Sequence, residues 1–187
     1  MDPLSRADPR DLAAVDFVLS DLDDTLTLDG RLPAATYAAL GALEGAGISV
    51  VVVTGRPAGW CDLVARFWPV AAVVGENGAF YFRYDRAART MRRAFQRSDG
   101  ERARDQARLA EIFATIRSRY PQVRLSADQP YRISDYAVDF CEDVARLDDA
   151  TIADIVHRFE TGGATAKVSS IHVNAWYGTH DKLSTSL

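Results

Sequence analysis

An α/β fold built on a parallel sheet, with an α+β module inserted into it, is the architecture the sequence predicts. Two observations point to it. Three short apolar runs, at residues 17–19, 48–53 and 71–74, are separated by helical segments and each ends abruptly in a polar cluster. From about residue 80 that rhythm gives way to paired strands and longer amphipathic helices, the pattern of a separate α+β layer. The expected sheet is a partial doubly wound one. Residues 1–79 and 178–187 form the core, and 80–177 form the inserted domain.

Taken in order, Phe17-Val18-Leu19 is a buried parallel strand closed by Ser20-Asp21. Pro33 opens a helix with Tyr37, Leu40 and Leu43 at helical spacing, ended by Gly45 and Gly47. The β-branched run 48–53 is the second strand, stopping at Thr54-Gly55-Arg56. Pro57 starts another helix, reaching about Trp68, on which Trp60, Phe67 and Trp68 read as core. Residues 71–74 form the third strand, before Gly75-Glu76-Asn77-Gly78. Residues 80–84 and 90–96 read as a hairpin of the inserted domain. A helix follows, with Leu109, Ile112, Phe113, Ile116 and Tyr120 on one face, stopped by Pro121. Strands are expected at 123–126 and 133–140. Asp148 or Asp149 caps a helix carrying Ile152, Ile155, Val156 and Phe159, which ends at Gly162-Gly163. The run 167–175 reads as one alternating strand, with Ile171, Val173 and Ala175 on one face and Ser170, His172 and Asn174 on the other.

Composition narrows the function classes. At 187 residues, 48% hydrophobic and 26% charged, the chain is long enough for a sizeable core. A formal net charge of -4 argues against nucleic acid as partner. The cations between residues 83 and 124 are all arginine, flanked by acidic segments; they suit a solvated helix face, or attraction of a small anion. Cys61 and Cys141 are isolated and read as buried thiols of a reducing, cytoplasmic setting. The first sixteen residues lack the apolar stretch of a signal peptide, and the run 48–53 is too short to span a bilayer, so no membrane association is expected.

The chemistry gathers at the strand ends, the edge where open α/β sheets bind ligands. Asp21 and Asp23 stand two residues apart just beyond a strand, where burying both unpaired would be costly. A hard cation such as Mg2+ relieves that cost; a solvated turn or helix cap is the plainer alternative. Asp24 reads as an exposed turn residue. Thr54-Gly55-Arg56 offers a hydroxyl and amides at a helix start, suited to phosphate, although Thr54 also fits a simple cap. Asn77 fits either a substrate contact or a left-handed turn before Gly78. The chain has two lysines, Lys167 and Lys182. His172 and Asn174 share a strand face; lining a cleft and hydrogen-bonding within the fold both remain open for them. Trp176 and Tyr177 suit the border of a sugar pocket.

Leu19-Ser-Asp-Leu-Asp-Asp-Thr-Leu-Thr27 resembles the DxDxT motif of the haloacid dehalogenase-like phosphatases, and Val53-Thr-Gly-Arg56 resembles their second motif. Glu76-Asn-Gly-Ala79 resembles the turn of the subgroup with a large cap after the third strand, which includes sucrose-phosphate phosphatase and mannosyl-3-phosphoglycerate phosphatase. Residues 169–182 resemble the end of such a cap followed by the lysine motif. The resemblance implies a haloacid dehalogenase-like core with an α+β cap and Mg2+-dependent hydrolysis of a sugar or glycosyl phosphate. In it Asp21 is the nucleophile, Asp23 the acid/base, and Thr54 and Lys182 hold the phosphoryl oxygens. Asp21 and Asp23 hold the metal. Thr25, Gly55, Arg56, Asn77, His172 and Asn174 are the candidate substrate contacts, and the partner is a small-molecule phosphate ester. No GDxxND-like acidic motif follows Lys182, so the chain reads as truncated before it, with a natural remnant or completion by a partner as alternatives. The metal site then lacks an acidic ligand, and weakened Mg2+ binding and impaired turnover are expected. The first strand should then expose an apolar edge, through which an oligomer could form. Phosphosugar mutase chemistry and a non-catalytic binding or regulatory remnant are the rival readings.

Overall fold

A computed structural model describes residues 6–186; residues 1–5 and 187, assigned above to the core, lie outside the described residues. After a short helix α1 (Pro9–Leu12), the chain alternates β1 (Phe17–Ser20), α2 (Ala34–Gly45), β2 (Ser49–Val53), α3 (Ala58–Phe67) and β3 (Ala72–Gly75). β1, β2 and β3 are hydrogen-bonded in that order and parallel, with Leu19 opposite Val51 and Val52 opposite Val73. Val50, Val52, Val73 and Val74 are buried. Their branched, rotamer-restricted side chains suit this pleated surface between covering layers. Because the three strands run the same way, their polar C-terminal ends converge on one edge of the sheet, as the alternating rhythm predicts.

The next two strands correct the expected division. β4 (Phe80–Asp85) pairs antiparallel with β3, and β5 (Thr90–Phe95) with β4, so this hairpin extends the first sheet instead of founding the second. The reason is packing: Phe80 and Phe82 alternate onto the buried face of β4, stack 4.5 Å apart and join the core made by Val52, Val64 and Val73. The period-2 pattern of the hairpin was legible, but which sheet it joins is a long-range choice.

The second layer is an antiparallel sheet in the order β6 (Arg124–Leu125), β7 (Asp135–Asp139), β9 (His172–Trp176), β8 (Thr165–Val168). It is covered by α4 (Asp99–Arg119) and α5 (Asp149–Thr161). Ser98 and Glu101 form a reciprocal capping box at the start of α4, while the Asp148 carboxylate accepts the Thr151 N–H at the start of α5. Leu109, Ile116, Ile155, Phe159, Val173 and Ala175 make a second, separate core. The run 167–175 is two strands rather than one. The chain reverses at residues 169–171, where the Ser169 hydroxyl oxygen accepts the N–H groups of Ile171 and His172, and Ser169 N–H donates to the His172 carbonyl. Residues 133–134 likewise fall outside β7, into a loop.

The α3 stripe is also corrected. Trp60 and Phe67 are exposed, and the inward face is Ala58, Cys61, Val64 and Ala65. Trp60 lies instead beneath the Arg56 guanidinium, 4.8 Å from its ring centroid. Cys61 is buried and Cys141 half-buried, both as free thiols. β1 is an edge strand, with Phe17 67% and Leu19 50% exposed. Among the described residues no helix is long and apolar enough to cross a membrane. A final short helix, α6 (Lys182–Ser186), packs against the single turn Glu76–Gly78 and β3.

Candidate active site

Directly beyond β1, the Asp21 carboxylate accepts its neighbour Leu22's N–H at 2.8 Å, which turns it toward the sheet edge. Lys182 reaches both of its oxygens, at 3.0 and 3.1 Å, across 161 residues of sequence. The two side chains remain 46% and 39% exposed, so the pair adds at most about 1 kcal/mol to stability. Its importance is one of placement.

Lys182 is placed by backbone fit. Gly78 has φ +104°, and a Cβ there would overlap the Asp181 carbonyl. The Thr185 hydroxyl donates to the Gly78 carbonyl at 2.7 Å, and the Asp181 carboxylate caps α6 by accepting the Ser184 N–H at 2.7 Å. Trp176 Nε1–H donates to the His180 carbonyl at 3.3 Å, tying the end of β9 to the same segment. Gly78→Ala should therefore push Lys182 off Asp21 without touching either side chain. The expected outcome is a drop of about tenfold or more in whatever turnover Asp21 supports, with a lowered melting temperature. Steady-state kinetics beside thermal melting check this, and wild-type turnover in Gly78→Ala would refute it.

At the end of β2, Thr54 is buried and its hydroxyl oxygen accepts the Arg56 N–H at 3.0 Å. Arg56 is the hub of a charged web. Its guanidinium donates to Asp23 at 3.0–3.2 Å and to Glu142, from the second layer, at 3.1 Å, while Asp128 lies 3.7 Å away. His172 Nε2 stands 2.8 Å from the other Glu142 oxygen. Burial holds the His172 imidazole below its usual value, with Glu142 opposing.

Glu76 joins the two layers. It is fully buried, has φ +44°, and accepts the N–H groups of Ala58, Ile133, Ser134 and Asp135 at 2.6–3.2 Å. Burial, and then the Asp135 charge, push its carboxyl up to about 8, against the pull of Arg132 and the N–H donors. Arg132, also buried, donates to Asp128, to Asp135 and to the Gly55 carbonyl. Burial works against that charge, but Asp135 and Asp128 outweigh it and hold the guanidinium above its ordinary value.

Between the layers lies a cleft of about 560 Å³. Its floor is Asp21, Asp23, Gly55, Arg56, Asn77 and Lys182, and His172 and Asn174 line the opposite wall. Eight of the ten residues singled out in the sequence therefore meet. Thr54 and Thr25 are not among the lining residues, Thr54 being covered and Thr25 exposed on its loop. Asn77 holds φ +57° and leaves a buried Nδ2 without a partner, so the left-handed turn and the cleft position are both realised. Asn174 donates to Asp135 at 3.3 Å while still lining the cleft. Tyr177 is in the second core, not at the cleft, and its hydroxyl donates to the Gly162 carbonyl. Among the described residues no three His, Cys, Asp or Glu side chains converge as a metal cluster.

Arg132, Glu142 and Lys167 also line or join the site, and sequence reasoning did not assign them there. Arg132 and Glu142 sit in irregular connections, where no periodicity marks them. Lys167 carried one signal, being one of two lysines in an arginine-using chain.

The family model for haloacid dehalogenase-like hydrolases matches residues 18–119. Solved structures share the fold. Protein 0175 of Thermoplasma acidophilum is 17% identical, with TM-score 0.67, over 92% of this chain and 68% of that one. A haloacid dehalogenase-like hydrolase from Bacteroides thetaiotaomicron is 12% identical, with TM-score 0.64, over 92% and 74%. The subclass IIB sugar phosphatase BT4131 is 11% identical, with TM-score 0.60, over 92% and 74%. No curated protein sequence matches.

Proposed function

The chain belongs to the haloacid dehalogenase-like hydrolase family, and on that premise we propose that it is a magnesium-dependent phosphatase acting on a sugar or glycosyl phosphate monoester. The observation that carries the reading is the meeting of Asp21 and Lys182 at the floor of a cleft roomy enough for a small organic ester. An anionic nucleophile beside a fixed ammonium is what attack on a phosphoryl group needs.

In this reading an Asp21 oxygen attacks phosphorus, the bond to the leaving oxygen breaks, and that oxygen takes a proton from Asp23. Water then attacks the aspartyl-phosphate and gives its proton to Asp23, and inorganic phosphate departs from Asp21. Lys182 holds the phosphoryl oxygens from the cleft floor, and the Thr54 hydroxyl, covered just behind Gly55 and accepting the Arg56 N–H, joins it only if the turn after β2 opens on binding. Asp23 must first turn from Arg56, and Glu142 gives the guanidinium a second acid to stay with. The donor chemistry fits Mg2+, which keeps several waters and needs few protein oxygens: the Asp21 carboxylate and the Asp23 main-chain carbonyl would hold it. When bound, it supplies neutralisation of charge between carboxylate and phosphate. The second sheet with α4 and α5 acts as the cap, and its polar wall of His172, Asn174 and Ser170 suits a hydroxyl-rich leaving group.

Incubation with Mg2+ and a panel of phosphomonoesters should release inorganic phosphate, and a chelator should stop it. Label that moves to a second sugar hydroxyl instead would establish a mutase. Ester binding with no release would leave a binding module.

A further inference from the structure

The cleft holds four cationic side chains, and three are committed. Lys182 pairs with Asp21, Arg56 with Asp23 and Glu142, and Arg132 with Asp128 and Asp135. The fourth, Lys167, has no carboxylate within ion-pair distance among the described residues; its Nζ stands over the Trp176 ring, 6.0 Å from the centroid. It stands on β8 directly opposite Asn174 of β9, and cross-strand partners project to the same face, so Lys167 looks into the cleft beside Asn174. The core floor opposite contributes Asp21, Asp23, Asp24 and Asp181. Asp181 forms no ion pair with it, although the Lys167 charge helps the Ser184 N–H hold that carboxyl below the usual range. Ser170, at the turn between β8 and β9, lines the cleft next to it.

A committed cation positions protein, whereas an uncommitted one facing a cleft selects a ligand anion. Lys182 on the core floor accounts for the phosphoryl group. Resting on the reading of this cleft as a phosphomonoester site, we propose that the leaving group carries a second negative charge, of the carboxylate class, which Lys167 receives from the cap side. A neutral sugar alone would leave Lys167 without a partner. The inference narrows the substrate to a phosphate ester whose alcohol part bears its own acid.

Binding, measured by calorimetry, separates this from catalysis. The probes are 3-phosphonopropionate, which carries the second anion, and propylphosphonate, which does not. Wild-type protein should prefer the former by about tenfold, the Lys167→Gln variant should reduce that preference to within about twofold, and Lys167→Arg should restore it in part. Lys167 is exposed on its strand, so the fold should survive the changes, and thermal melting checks this. Equal binding of the two probes by wild type overturns the proposal, and so does a preference that persists in Lys167→Gln. Binding of neither overturns both the proposal and the phosphomonoester reading of the cleft. A Lys167-dependent preference in a protein that releases no phosphate would support the second-anion site and sink the hydrolytic reading alone.

Discussion

Replacing Asp21 with asparagine should abolish phosphate release, by roughly a thousandfold or more, while leaving the protein folded. The amide keeps the shape and the Leu22 N–H contact but cannot become an acyl phosphate, so the path through a covalent intermediate is closed rather than slowed. Because Asp21 and Lys182 are both nearly half exposed, losing their attraction should change stability by less than about 1 kcal/mol. That contrast is the diagnostic: a large loss of kcat at an almost unchanged melting temperature. Acid-quenched reactions with labelled ester should show phosphate on the wild-type chain and none on Asp21→Asn. A variant that retains more than about a tenth of the wild-type rate would remove Asp21 from the nucleophile's role.

Glu76→Ala should produce the largest loss of stability. Truncation strands the N–H groups of Ala58, Ile133, Ser134 and Asp135 in a site closed to water. Orphaned buried donors cost about 1–3 kcal/mol each and do not add fully, so a total of about 3–5 kcal/mol is expected. Against an ordinary stability of about 5–15 kcal/mol, that is roughly a fifth or more of the whole, and a fall in melting temperature of roughly 10 °C. Glu76→Gln keeps one acceptor oxygen and should lose less. Denaturant titration of the three proteins checks the order. A Glu76→Ala protein as stable as wild type would show that these donors find water, and that Glu76 is not what joins the Glu76–Gly78 turn to the segment after Arg132.

Much of this architecture was legible locally. The short apolar runs ending at Asp21, Thr54 and Gly75 announce parallel strands whose ends share an edge, since the apolar run and the abrupt polar stop are both properties of a few consecutive residues. The helical faces of Leu109 and Ile116, and of Ile152, Ile155 and Phe159, turned inward as their spacing requires. Ser98-Asp-Gly-Glu101 is a capping box that also lay in plain sequence, although the start of α4 was not placed from it.

Other features had no local signature. The Phe80–Phe95 hairpin has the same alternation whichever sheet it joins, and the packing of Phe80 and Phe82 on the first core decided for β3. The run 167–175 alternates well enough for one strand, and the Ser169 hydroxyl bonds that reverse it count for more than its periodicity. Trp60 and Phe67 follow a helical stripe whose inward face is elsewhere, because α3 meets the sheet through its small residues.

By itself, then, the sequence determined the elements, the order of the strand ends and the chemical types delivered to them, because these depend on spacing along the chain. Tertiary structure alone decided that Lys182 meets Asp21, that Arg56 divides itself between Asp23 and Glu142, and that Lys167 is left uncommitted on the opposite wall. Charge pairing is non-directional and acts across any sequence separation, so it leaves no period to read. It is settled only when two independently formed layers close on one another, and burial then holds the ions they cover, Arg56 and Arg132, to their carboxylates.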